Sequence, residues 1–136
     1  MSAAAPGLRL GILAPGYPSG APGDYRGIFV QEMARQLEAR GHRVCVVTSR
    51  LLPDDPPLQI VGDAEQVHRF GFWSEGRHLI EYRRIPLART TSYLYAARRL
   101  ARRAFADFQC DLVHSHFLVP MGLVGVWTAR IKTEIW

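Results

Sequence analysis

Two histidines stand one residue apart late in the chain, in Asp111-Leu112-Val113-His114-Ser115-His116-Phe117. The segment reads as a strand, so His114 and His116 share one face. Imidazoles placed in this way can hydrogen-bond a ligand hydroxyl or stabilise charge at a reacting carbon. A His-x-His pair also raises a metal site, but no third ligand of matching type stands near it, and no metal is expected. A second candidate group is Gly16, Gly20, Gly23 and Gly27, spread through a proline-rich loop just before a helix. Such a loop admits close backbone approach to a ligand, and the free amides at a helix start favour phosphate. The spacing is not Gly-x-Gly-x-x-Gly, so nicotinamide binding gains little support. The third group, Arg98, Arg99, Arg102 and Arg103, forms two i,i+4 pairs on one side of a helix whose other side is apolar. That face is either an ordinary solvated surface or a weak docking face for anionic headgroups.

The elements that position these groups follow from pattern. Leu8 to Leu13 is a short apolar run stopped by Ala14-Pro15-Gly16, as for a buried first strand. Val30, Met33, Ala34 and Leu37 recur at helical spacing, and Gly41 follows where a C-terminal cap glycine belongs. Val44 to Thr48 is a β-branched run of the kind covered on both faces. Strand, helix and strand with short joins make a parallel unit with a right-handed crossover.

The three prolines within Leu51 to Pro57 mark an exposed loop, and Gln66 to Phe72 reads as the third strand. Gly71 to Arg84 fits either a return strand or an irregular excursion. From Ser92 to Phe108 a helix presents Leu94, Ala97, Ala101, Ala104, Phe105 and Phe108 on one face. A strand over Asp111 to Phe117 follows. Pro120 then opens a last apolar helix in the first-turn position that proline tolerates. Gly122, Gly125 and Trp127 read as close packing of that helix on the sheet. The alternation predicts an α/β chain, a Rossmann-like three-layer αβα parallel sheet with ligands beyond the carboxyl ends of its strands.

Composition narrows the function. At 136 residues the chain is one domain, spanning 1–136, with ordinary apolar and charged fractions of 48% and 21%. No apolar run reaches the roughly 18 residues of a membrane span, and the N-terminus does not read as a signal peptide. A cytoplasmic location is expected, with Cys45 and Cys110 as buried free thiols. The net charge of +5 comes almost wholly from arginine, since Lys132 is the only lysine. No nucleic-acid module is present and no aromatics interleave with the basic cluster, so nucleic acid is not an expected partner.

Three stretches carry a resemblance. They are Leu10-Gly11-Ile12-Leu13-Ala14-Pro15-Gly16-Tyr17-Pro18 with Gly27-Ile28-Phe29-Val30 after it, the run Leu37 to Thr48, and the run Asp111 to Gly122. Val67-His68-Arg69-Phe70 adds a fourth, weaker one. In order and spacing they resemble the N-terminal domain of retaining glycosyltransferases of the GT-B fold, family 4 type, over about Leu8 to Arg130. The resemblance implies transfer of a hexose-like sugar from a nucleotide sugar to an acceptor hydroxyl with retention, at a cleft between two Rossmann-like domains. It implies a catalytic role for His116, with His114 and the glycine loop binding donor or acceptor. No cofactor is implied beyond the nucleotide-sugar substrate. A sugar or a lipid-linked acceptor, and contact with the inner membrane face, are the implied partners.

The family's donor-binding domain, with its Glu-x7-Glu motif, does not follow Trp136, and Ile131 to Trp136 replaces the strand expected after Arg130. The chain therefore reads as truncated, incomplete at its C-terminus and inactive alone. The alternative is a non-enzymatic sugar- or nucleotide-binding remnant.

Overall fold

The computed structural model describes residues 6–62, 64–72, 83–84, 87–129 and 134–135. In chain order its elements are β1 (Arg9–Leu13), α1 (Ile28–Ala39), β2 (Arg43–Ser49), β3 (Leu58–Val61), β4 (Glu65–Phe70), α2 (Leu87–Phe108), β5 (Leu112–Ser115), α3 (Leu123–Ala129) and β6 (Glu134–Ile135). Among the described residues the strands form one sheet in the order β3-β4-β2-β1-β5-β6. All neighbours are parallel except β3 and β4.

The central strands are apolar on both faces because both faces are covered. Ile12, Val44, Val46 and Val67 pack with Val30 and Ala34 of α1 on one side. Leu13, Cys45, Val47, Phe70 and Val113 pack with Tyr93, Ala97, Ala101, Phe105 and Phe108 of α2 on the other. Each such aliphatic side chain contributes roughly 1.5–3 kcal/mol when fully buried. Gly11 permits the α2 side to close: a Cβ there would meet the Phe105 ring at 2.9 Å and the Cys110 sulfur at 3.1 Å. Helix α1 stops as its glycine predicts. Gly41 takes φ +86°, its N–H donates to Glu38 O, and the N–H of His42 donates to Leu37 O, which satisfies two end carbonyls.

Several expectations need correction. A short strand, β3, precedes β4 and pairs with it antiparallel at the sheet edge, so the predicted third strand is the fourth and ends at Phe70. Most of the ambiguous span Gly71 to Arg84 lies outside the described residues. Helix α2 starts at Leu87, ahead of Ser92, and buries Tyr93 more deeply than Leu94. Pro120 does not open a helix: it lies in an irregular turn, Leu118–Gly122, and α3 begins after it. Beyond Arg130 a strand does form, with Glu134 and Ile135 pairing in parallel with Leu112 and Val113. Gly125 packs closely, since a Cβ there would meet Ser115 Oγ at 2.5 Å. Trp127 does not, being partly exposed.

Two polar groups are sealed beneath α1. Tyr17 donates its phenolic O–H to the carboxylate of Glu65, and both residues are buried. Arg69 donates to the carbonyls of Tyr17, Pro18 and Pro56 and to Gln59 Oε1. Burial pushes the Glu65 carboxyl up to about 7, whereas a glutamate in the unfolded chain titrates near 4.3. The native state therefore holds this proton more tightly. Its contribution is complete at low pH and is lost as pH rises through about 7, for a total of roughly 3 kcal/mol. Glu65→Gln keeps a partner for Tyr17 without titrating. Between pH 5 and pH 8 the parent should lose on the order of 10 °C in Tm relative to this variant. A parent–variant difference that does not change with pH would show that Glu65 does not titrate in the fold.

Candidate functional site

Strand order reverses at β1. The chain builds β2, β3 and β4 to one side of β1, then returns to place β5 and β6 on the other. In open parallel sheets the crevice beyond the carboxyl ends at such a reversal is where ligands bind. Two of the sequence candidates flank it: the glycine loop leaves β1, and His116 directly follows β5.

The loop is built rather than loose. Gly16 and Gly27 meet backbone to backbone, since a Cβ on Gly27 would lie 2.1 Å from Gly16 O, and Gly27 has φ +66°. Gly27 O then accepts the Val30 N–H at 2.9 Å and starts α1. Gly20 and Gly23 are also left-handed, but a side chain added at either would meet open space. Between them and the helix, Arg26 joins two carboxylates. It reaches Asp24 at 2.9 and 2.7 Å and Asp55 at 2.9 and 2.7 Å, two forks from one guanidinium. The Arg26 bonds hold the Asp24 carboxyl far below its ordinary range. For Asp55, burial pushes upward, but Arg26 and the Leu52 and Leu51 amides outweigh it and leave the carboxyl at about 2. The loop's arginine is thus committed to protein carboxylates, and a phosphate in this loop would meet backbone amides rather than that cation.

Register places the histidines. Arg9 N–H donates to the Asp111 carboxylate at 2.8 Å, and Asp111 N–H donates back to Arg9 O at 2.7 Å. Five residues after Asp111, His116 N–H donates to Leu13 O at 2.8 Å. Val113 faces α2, so by alternation His114 and His116 lie on the α1 side. Their rings are 4.7 Å apart. His114 is exposed and His116 half-buried. Burial, then repulsion from His114, lowers the pKa of His116 from its ordinary value, so the ring is neutral at pH 7. Its Nε2 is out of reach of solvent and has no hydrogen-bond partner.

Sequence reasoning missed two neighbours. Phe29 of α1 stands edge-on to His116 at 5.4 Å and to Phe117 at 6.4 Å. Phe117 carries φ +70°, a backbone state that costs a non-glycine residue about 1–3 kcal/mol and tends to occur at functional sites. The available signal was a pair of phenylalanines, one in a helix first turn and one beside the His-x-His pair.

The family model for Glycosyltransferase Family 4 matches residues 27–135, well over half of the chain. The chain belongs to glycosyltransferase family 4. Among solved structures it is similar to a sucrose-phosphate synthase from Thermosynechococcus elongatus, with 18% identity and a TM-score of 0.61, covering 94% of this chain and 31% of that one. A second structure under that name gives 17% identity and a TM-score of 0.59, covering 93% of this chain and 59% of that one. The chain thus spans less than two thirds of either. No curated protein matches the sequence significantly. The fold is the N-terminal, Rossmann-like half of a GT-B glycosyltransferase.

On the opposite side of this family 4 sheet, α2 carries the arginines. Arg98, Arg99, Arg102 and Arg103 line a surface cavity of about 690 Å³ together with Tyr95 and Ala106. Tyr95 and Arg98 continue into a second cavity, of about 450 Å³, with Thr91, Leu94 and Trp127. Among the described residues no carboxylate lines either, and Arg98 Nε is enclosed without a partner. The arginine face and the histidine pair are therefore separate surfaces. Among the described residues no group of three or more His, Cys, Asp or Glu side chains could hold a metal ion, and no helix is long and apolar enough to cross a membrane.

The two kinds of loop glycine should respond differently to substitution. Gly27→Ala forces a Cβ into a backbone carbonyl at positive φ and should cost about 3 kcal/mol or more. Gly20→Ala meets open space and should cost only the left-handed penalty of about 1–2 kcal/mol. Urea unfolding of both variants checks this, and equal losses would contradict the tight Gly16–Gly27 contact.

Proposed function

We propose that these residues form the acceptor side of an enzyme that moves a hexose from a nucleotide sugar to an acceptor hydroxyl with retention at the anomeric carbon. One observation carries the reading: a neutral imidazole with an unpaired Nε2 sits at the sheet reversal, beside the first-strand loop. A group so placed can take a hydrogen bond from a sugar hydroxyl and steady charge as the bond from the anomeric carbon to the nucleotide phosphate breaks. His114, exposed and 4.7 Å away, contacts the same ligand from the solvent side. Gly16 and Gly27 set the height of the loop, while Gly20 and Gly23 lie in turns that a donor phosphate or an acceptor can approach. The reaction needs no metal or other cofactor in this reading. The nucleotide itself belongs to a second Rossmann-like half, outside these 136 residues, and without that half we expect no transfer.

The test uses a version of the protein that carries a donor-binding half. His116→Ala should lower turnover by roughly a hundredfold or more and shift stability by less than about 1 kcal/mol. His114→Ala should reduce turnover less. Product formation and thermal melts are read together: a His116→Ala enzyme that melts and turns over like the parent would sink the assignment.

A second reading concerns α2, and the observation favouring it is a four-arginine face that no carboxylate among the described residues lines. We propose that it docks peripherally on the anionic inner face of a membrane, where a lipid-linked acceptor would be met. Replacing Arg98, Arg99, Arg102 and Arg103 with Gln should abolish co-sedimentation with vesicles of one-third phosphatidylserine. Parent binding should weaken steeply with salt, because charges are screened beyond about 8 Å at physiological ionic strength. Equal binding to neutral vesicles, or none to either, would leave an ordinary solvated face.

A further inference from the structure

An imidazole that serves a substrate must present its free nitrogen, yet His116 Nε2 is covered and bonded to nothing. Two rings lie against this imidazole. His114 belongs to the same strand and is held by its hydrogen bonding. Phe29 comes from the first turn of α1, at 5.4 Å and 74°. Helix α1 does not need Phe29 to dock on the sheet. That contact is made by Val30 and Ala34, which are fully buried, whereas Phe29 is 51% exposed. Its ring thus has solvent on one side to turn into, and an edge contact with Phe117 at 6.4 Å holds it in place on the other.

The anchor of this ring is rigid. Gly27 lies against Gly16 O, which seats the helix start on the first-strand loop, and rotation of the Phe29 side chain opens Nε2 without moving this backbone. Electrostatics offers no competing explanation for the covered nitrogen. The first turn of α1 carries no acidic residue, and His114 is the titratable group whose charge acts on His116.

We infer that Phe29 is a gate over His116: closed, it keeps water from Nε2, and it turns outward to admit the hydroxyl of the incoming sugar or acceptor. This inference rests on the reading of His116 as a group that touches substrate. Phe29 itself is a positioning residue.

The 136-residue chain suffices for the test, with diethyl pyrocarbonate as the probe of imidazole accessibility and ring-proton NMR as the readout of each histidine. In the parent, His116 should be modified about tenfold more slowly than His114, as expected for a protected group. In Phe29→Ala the two rates should come within about twofold of each other, and the His116 titration midpoint should move up as its burial is relieved. Phe29→Tyr should keep the slow rate. Phe117→Gly, which removes the ring behind Phe29 and suits the positive φ, should speed His116 modification without loss of fold. A merely structural role for Phe29 would lower the melting temperature and leave the rate ratio alone. If both Phe29→Ala and Phe117→Gly melt normally and leave His116 as slow as in the parent, the gate is overturned. That result is distinct from failure of the catalytic role, which appears only as parent-like turnover of His116→Ala in the two-domain protein.

Discussion

The pairing of β5 with β1 is the constraint on which the rest of the site depends. It is fixed at its first residue, where Arg9 and Asp111 exchange backbone and carboxylate hydrogen bonds. A slip of one residue would turn Val113 outward from the α2 core and carry both histidines to the other face. Held in register, the strand brings Ser115 level with Leu13, and the last bond of the ladder, His116 N–H to Leu13 O, joins the two halves of the crevice. Core packing supports the same register from below, because Val113 is buried in one cluster with Leu13, Phe105 and Val124.

The first-strand loop is held by a different device. Its composition alone, rich in glycine and proline, suggests a mobile segment. A buried arginine and a half-buried one prevent this. Arg69 binds the carbonyls of Tyr17 and Pro18 from below, and Arg26 ties the Asp24 turn to Asp55 in the loop after β2. Among the described residues Arg69 has no carboxylate hydrogen-bonded to it; burial lowers its pKa, with Asp55 chief among the groups that oppose this. Four carbonyl-type acceptors replace the water it has lost. An arginine suits such a position better than a lysine because its fork serves several acceptors at once. The loop is therefore fastened to β4 and to the segment before β3, not only to the strand it leaves.

Much of this was legible in the sequence. The runs Leu8 to Leu13 and Val44 to Thr48 signalled central strands because burial on both faces leaves no polar alternation to misread. Gly41 marked the end of α1 because a left-handed cap needs a glycine, and the shared face of His114 and His116 followed from strand alternation. The failures have physical causes too. Strand β3 is four residues long, lies between Pro57 and Gly62, and exposes Leu58 and Ile60, so neither propensity nor burial announces it. Pro120 fits a helix first turn in sequence, but the positive φ at Phe117 redirects the chain before it. Trp127 suggested helix–sheet packing by size alone, yet its indole stands beside Tyr95 and Arg98. Phe29 escaped notice because a half-exposed phenylalanine in a helix has no pattern of its own. Its partner is 87 residues away in the chain.

Helix α2 runs from the carboxyl edge of the sheet back to its amino edge, where Arg9 reaches Phe108 O. Its arginine face is therefore roughly parallel to the strands and on the far side of the sheet from the histidines. Any plane that holds this face leaves the crevice opening sideways, along the plane rather than into it. A reactant confined to such a plane would arrive by two-dimensional diffusion, and one from bulk water would come from the free side of the sheet. For a chain held by this face, the strand direction would divide the surroundings of the crevice into two sides.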